Sequence, residues 1–332
     1  MSLAILGFYY QNFILLLFLL MLMGLHSTIF GPLKYSIIPD LVAAEELNSA
    51  NGWVESATYL AILLGTILGG LAVSAEHEMI WLSTLLWGIA ICGLAFSYFI
   101  PRVPPPQPEL KIGFNIFSDI ADSWRKAKQV NLVFQAVLAI SWFWLLGSVV
   151  LSLLPVYVSQ KLGAKEEVFM TFLTLFTLGI GVGSFISVVL SKKFNAAYLV
   201  VLGLVGMSVA LADWAVVTDG LSSPTAGAAL INFEEFKAMG SSWRIMLDLF
   251  FVAIAGGVYT LPLYTWMQQH SAPGERSRVV AANNILNAAF MVSGALGLML
   301  AYRFHLEFHQ IILILAAINF GWAAKYHFSL KK

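Results

Sequence analysis

Few side chains in this sequence can do chemistry, because 59% of its 332 residues are hydrophobic and only 11% are charged. Glu55 stands out, since it falls well inside an apolar run, where an ionisable group is expensive and marks a functional site by default. Lys34, at the end of the preceding run, is its expected partner, either in a pair that closes a gate or as a second contact for a substrate. Asn51, Asn283 and Asn287 lie in similarly apolar surroundings and read as hydrogen bonds between helices or as part of the same path. Asp213 and Asp248, with Arg244 one turn before the latter, read as a solvated ion pair near helix ends. His305 and His309 have the i, i+4 spacing of two metal ligands, but no third ligand accompanies them, so no metal is expected. His26 reads as a bonded interior residue. Cys92 is the only cysteine, which excludes an intrachain disulfide and a cysteine metal cluster, and it reads as a core thiol. No His-x4-Asp motif and no nucleotide-binding loop occurs, so neither a catalytic residue nor a cofactor is expected. A net charge of zero argues against a nucleic-acid partner, which would need a clustered basic excess.

The elements that must position these groups are membrane helices. A hydrocarbon core about 30 Å thick needs about 20 apolar residues per crossing, and backbone groups in lipid must be satisfied within the segment. On that rule nine helices are predicted: 12–33, 48–72, 79–100, 131–154, 168–190, 196–217, 243–265, 279–302 and 308–328. The fold class is therefore an all-α membrane protein. The residues before the first run lack the positive segment of a secretory signal, and the run itself is long enough to span. Thirteen of the eighteen Lys and Arg fall on one side of nine crossings, among them Lys34, Arg125, Lys126, Lys192, Arg276 and Lys325. That side is expected to be cytoplasmic and to carry the C-terminus, with the N-terminus outside. Trp53, Trp81, Trp243 and Trp266, near segment ends, fit an interfacial belt.

Two connections differ from the rest. Residues 101–130 open with PRVPPPQP, a stiff spacer, and continue with Phe114, Phe117, Ile120 or Ala121, and Trp124 on one helical face. They predict a linker whose amphipathic helix lies on the cytoplasmic membrane surface. The stretch 218–242 is long and rich in Gly, Ser and Pro, with no chemistry to assign.

A repeat organises the chain. Pro32-Leu33-Lys34-Tyr35 ends one run and Pro262-Leu263-Tyr264-Thr265 ends another, so Gly31, Pro32 and Pro262 read as helix ends. A short polar loop follows each, and then Ala50-Asn51 and Ala282-Asn283 open the next helices. The prolines lie 230 residues apart and the asparagines 232. Small residues keep step along both, Ala57, Ala61, Gly65 and Gly69 against Ala289, Ser293, Gly297 and Ala301, a packing signal. Gly179 and Gly183 repeat it elsewhere. Parallel repeats of this kind belong to transporters built from two bundles with the substrate path between them. Tyr35 and Tyr264 then join Lys34, Glu55 and the asparagines as path or gate residues. The expected domains are an incomplete N-terminal bundle of three helices in 1–100, the linker 101–130 and a six-helix bundle in 131–332. Three helices before the second copy have no counterpart before the first, so a twelve-helix pattern lacking its first three is expected.

FGPLKYSIIPDL with ANGWVESATYLAILLGTILGG, and GGVYTLPLYTWMQ with SRVVAANNILNAAFM, resemble the lysophospholipid transporters of the major facilitator superfamily. SWFWLLGSVVLSLLPVY, residues 141–157, is similar to the branch fused to acyltransferase and acyl-ACP ligase domains. The resemblance implies a multi-pass flippase of the bacterial inner membrane. It would move lysophospholipids such as lysophosphatidylethanolamine by alternating access, with surrounding membrane lipids and an acyltransferase or acyl-ACP ligase as partners. Departures are visible: Leu151 stands where some members carry arginine, and the family's loop signature survives only as Gly183 with Lys192 and Lys193, its acid replaced by Ser187. The rival readings are a drug or metabolite exporter of the same superfamily, a non-transporting remnant that partners an acyltransferase, and a membrane-embedded acyltransferase using His26.

Overall fold

The computed structural model describes residues 1–73, 78–104, 116–222, 224 and 229–329. Their helices are α1 (Ser2–Tyr9), α2 (Phe13–Leu41), α3 (Leu47–Val73), α4 (Glu78–Ser97), α5 (Ile116–Gln129), α6 (Asn131–Val156), α7 (Glu166–Leu190), α8 (Ala196–Asp219), α9 (Phe233–Ala238), α10 (Ser242–Gln269), α11 (Arg276–Arg303) and α12 (Phe308–Ser329). A π-helical turn, Tyr157–Lys161, prolongs α6. Among the described residues nine helices are long and apolar enough to cross a membrane, each on one of the nine predicted runs. Such runs become helices because only a helix closes its own backbone hydrogen bonds in lipid.

The densest packing is around α10, which lies between α7 and α8. Glycine makes this approach possible. A Cβ on Gly203 of α8 would stand 2.7 Å from the Ala255 carbonyl oxygen of α10, and one on Gly183 of α7 would overlap the Ile254 carbonyl. Polar side chains then tie the group together. Asn319 of α12 donates to the Leu204 carbonyl (2.8 Å) and to Ser208 (2.9 Å) of α8, and accepts from the Trp142 indole of α6 (2.8 Å). Tyr259 donates to the Ala139 carbonyl at 2.8 Å.

Helices α2, α3 and α4 are less enclosed and present large apolar side chains outward, such as Ile14, Leu20, Leu71 and Phe96. They meet the rest of the molecule through α2 on α11, α3 on α7, and both on α10. The polar contacts across this boundary use residues 35–56 on one side and 181–191, 265–269 and 276–277 on the other. The two groups of helices therefore close on each other at one end, the end that carries Lys34, Lys192 and Arg276.

Several expectations are corrected. Gly31, Pro32 and Pro262 do not end helices: α2 runs through Pro32 and Pro39 to Leu41, and α10 through Pro262 to Gln269. Proline removes one backbone donor and strains the preceding turn, but packing of neighbouring helices carries the helix on. The small-residue stripes do not all pack: a Cβ on Gly65, Gly69 or Gly297 would meet nothing within 4 Å among the described residues, whereas Gly179 and Gly183 press on α10. A small face brings helices close only where a second helix lies against it. Helix α5 buries Ser123 and Ala127 and packs on α11, with Trp124 edge-on to Phe134, so it is docked on helix ends as well as amphipathic. Phe114 lies outside the described residues, as does the side chain of Phe117. The 218–242 stretch holds a capped helix, α9, whose Phe236 is buried against Phe172. Nearby Gly163 is held at φ +61 with Pro224 against the place of a Cβ, a conformation and a space that favour glycine. Cys92 and His26 are exposed rather than interior; His26 stacks on Phe30. Trp53, Trp81 and Trp243 are exposed and Trp266 half-buried, as a belt at segment ends would have them.

Candidate functional site

The site is built where the two helix–loop–helix copies cross. The connection after α2, residues 42–46, and the one after α10, residues 270–275, bend the chain in the same way. Helix α3 then leans on α10, and α11 leans on α2. Three contacts relate the copies by one offset. Tyr35 stacks face to face on Tyr264, with ring centroids 5.1 Å apart and planes at 8°. Ser277 donates to Ser36 (3.0 Å), and Thr265 donates to Asn48 (3.1 Å). Tyr35 and Tyr264, Ser36 and Thr265, and Asn48 and Ser277 are each 229 residues apart. The repeat is thus real but shifted from the spacing set by the prolines and asparagines. Residues in contact across a pseudo-two-fold axis fix the register, whereas proline identity marks only a weak point in a helix.

The prolines have a different use. Pro39 has no N–H, which leaves the Tyr35 carbonyl without its helical partner. Gln268 of α10 donates to that carbonyl at 3.0 Å. Pro262 frees the Val258 carbonyl in the same way, and Ser187 of α7 donates to it at 3.4 Å. Ser187, the residue in the place of the family acid, therefore does local backbone work.

Around this joint most of the predicted site residues come together. Glu55 is buried and accepts from the Tyr35 hydroxyl at 2.5 Å. Lys34 does not pair with it within ion-pair distance; its ammonium donates to Thr58 (3.0 Å) and lies 4.5 Å above the Tyr35 ring. The expected Lys34–Glu55 pair is therefore replaced by a phenol–carboxylate bond with the ammonium on the ring face, an arrangement favoured because the two side chains leave adjacent helices on different turns. Asn51 is buried, exchanges hydrogen bonds with Gln268 (2.5 and 3.0 Å) and donates to Thr265 (3.3 Å). Beyond Tyr264 the chain of contacts continues: its hydroxyl accepts from Trp144 (3.2 Å). Asn287 and Ser141 are joined at 2.8 Å. With the Asn287 amide oriented to suit its neighbours, its oxygen also accepts from Asn283 (3.1 Å). Asn283 is buried and its own side-chain oxygen has no protein partner. A line of polar groups thus runs from Glu55 on α3 to Ser141 on α6, through walls that are otherwise apolar.

At the rim, Arg276 pairs with Asp40 at 2.7 Å, and Lys126 of α5 pairs with Glu275. Both bonds hold the connection between α10 and α11. Gln268, Thr265, Asn48, Ser277 and Pro39 escaped the sequence reading. The signal that could have found them is the tyrosine match at 229 residues.

The other candidates lie apart. Arg244 pairs with Asp213 across helices (2.8 and 2.5 Å), not with Asp248, whose Oδ2 is buried without a partner. The arginine reaches sideways because α8 and α10 pack side by side. His309 meets Asp219 (3.5 Å) and Glu307 (3.4 Å), His305 adopts a left-handed turn, and no cluster able to hold a metal occurs among the described residues.

Among the described residues, a helical architecture with nine helices able to cross a membrane, repeated copies and a polar joint between them defines a multi-pass membrane protein of the two-bundle carrier class. The family model described as the Major Facilitator Superfamily matches residues 1–295, and the chain belongs to that superfamily. Among curated proteins it is 25% identical over 260 residues to the lysophospholipid transporter LplT of Klebsiella pneumoniae subsp. pneumoniae, covering 75% of this chain and 57% of that protein. The LplT of Yersinia enterocolitica is 24% identical over 295 residues, covering 82% and 62%. That of Enterobacter sp. strain 638 is 28% identical over 183 residues, covering 49% and 41%. The chain spans about half the length of the curated relatives it matches.

Proposed function

We propose that this chain works in an alternating-access carrier for lysophospholipids such as lysophosphatidylethanolamine in the bacterial inner membrane, with residues 31–56 and 261–287 forming its gate. The reading rests above all on the stacked Tyr35–Tyr264 pair beside buried Glu55, where the two copies meet. The names carried by its relatives supply the substrate class. Residues 1–100 and 131–332 act as two bundles joined by the linker 101–130. The closed end, rich in Lys and Arg, faces the cytoplasm, so the arrangement corresponds to a carrier open to the outside. Contacts of stacked rings and single hydrogen bonds suit a gate, since they are made and broken at modest cost. A cleft with few charges suits an amphiphile: an ammonium headgroup meets Glu55 and the Asn283 oxygen, while the acyl chain stays against apolar helix faces. Carried inward, the lipid would be re-acylated by an acyltransferase or acyl-ACP ligase.

The test is uptake of labelled lysophosphatidylethanolamine by vesicles carrying the purified chain. Wild type is expected to accumulate it, and Glu55→Gln to lose at least about tenfold of the rate, the order of effect for a buried charged contact. Uptake of common drugs in preference to the lysolipid would establish the exporter reading instead. No movement of either would leave the chain without carrier activity of its own.

A further inference from the structure

A second polar cluster lies far from the gate, toward the opposite end of α8 and α10. Asp213 of α8 and Arg244 of α10 form a two-point ion pair whose Nη1 has no partner among the described residues. One turn further into the membrane on α10, Asp248 is only 7% exposed, and its Oδ2 has no hydrogen-bond partner. A buried carboxylate oxygen without a hydrogen bond is costly, and a carboxylate so placed within a span points to a cationic partner.

Both carboxylates line the head of a groove of about 570 Å³ between α7, α8 and α10. Below them its walls are apolar and open sideways: Leu202, Val209 and Phe251 are 41%, 63% and 53% exposed. From Asp213 to Leu202 is eleven residues, about 16 Å along a helix. That is close to half of a hydrocarbon core of about 30 Å, the depth of one leaflet. Asp213 lies six residues from the end of α8, and Asp248 six from the start of α10, so the charges sit near the level where headgroups meet acyl chains.

We propose that this groove seats a membrane phospholipid with a zwitterionic, ammonium-bearing headgroup, at a site separate from the gate. The ammonium meets the carboxylates of Asp213 and Asp248 at the head of the groove, the phosphate takes the free edge of Arg244, and one acyl chain fills the groove. Two carboxylates and one guanidinium match that headgroup and disfavour an anionic lipid without an ammonium. An ammonium fits better than a bare metal ion, because no third protein ligand is at hand among the described residues.

The full chain, purified and delipidated in detergent, is titrated with phosphatidylethanolamine and with phosphatidylglycerol of the same acyl chains, and binding is read by native mass spectrometry. Wild type is expected to hold phosphatidylethanolamine about tenfold more tightly. Asp248→Asn should erase the preference, and Val209→Trp, at an exposed position, should weaken both lipids by filling the groove. Circular dichroism checks that each variant is folded; if Asp248→Asn is not, Val209→Trp decides alone. Equal binding of the two lipids by wild type, a preference untouched by a folded Asp248→Asn, or affinities untouched by Val209→Trp, overturns the proposal. So does a preference lost in Glu55→Gln, which would place the lipid at the gate.

Discussion

Glu55 draws its meaning from Tyr35. A carboxylate buried with one strong donor is held in one orientation, and the donor ring is itself held by Tyr264. Removing one ring of a stacked pair costs more than its area alone, so a double-mutant cycle of Tyr35→Ala and Tyr264→Ala should give a coupling of about 0.5–1.5 kcal/mol in thermal unfolding. A coupling near zero would mean that the rings lie side by side without sharing energy. Gly183 makes a sharper claim about packing. Its missing Cβ is where the Ile254 carbonyl stands, so Gly183→Ala should destabilise by about 1–3 kcal/mol through forced separation of α7 and α10. Gly65→Ala, with open space around it, should be neutral or slightly stabilising in the same melt. Glu55 could be found in the sequence because a charge among apolar residues is conspicuous. Its partner could not, because Lys34 and Tyr35 are adjacent in sequence and both reach α3, Lys34 at Thr58 and Tyr35 at Glu55, a choice made only by how α2 packs on α3.

At the scale of elements, the prolines show how a local weakness is used. Pro39 and Pro262 each expose a carbonyl, and each carbonyl is taken by a side chain from another helix, Gln268 or Ser187. Gln268→Leu would leave the Tyr35 carbonyl buried without a donor and should cost about 1–3 kcal/mol. In the background of Pro39→Ala, which restores the helical N–H, the same change should cost much less. Equal costs in both backgrounds would show that the freed carbonyl is not what Gln268 serves. The nine long helices were legible, since their apolar runs are long and uninterrupted, whereas the short α1 and α9 were not. Helix ends at Gly31, Pro32 and Pro262 were misread, because proline ends an isolated helix far more readily than one supported by neighbours.

For the whole molecule, contact between the two groups of helices at one end is the observation with most consequence. Ser36 and Ser277 meet there at 3.0 Å, so a cysteine pair at these positions in a Cys92→Ser background should form a disulfide under mild oxidation. The cross-linked protein should stop lysolipid uptake, and a reductant should restore it. Uptake that continues with the bond in place would mean that this end does not open. Helix α5 bears on the same joint through Lys126 and Glu275, which makes the linker a brace for the connection as well as a spacer.

Sequence by itself determined the membrane class, the nine long apolar helices found among the described residues, the existence of a repeat and part of the group of residues where its copies meet. Those properties follow from how lipid selects apolar length and penalises lone charges, both of which act locally along the chain. Tertiary structure decided the register of the copies, the exchange of Lys34 for Tyr35 as the partner of Glu55, and the pairing of Arg244 with Asp213 that leaves Oδ2 of Asp248 without a hydrogen bond. Each of these depends on how helices distant in sequence are rotated and shifted against one another. That is set by close packing at residues such as Gly183 and Gly203, whose effect is felt only when another backbone arrives.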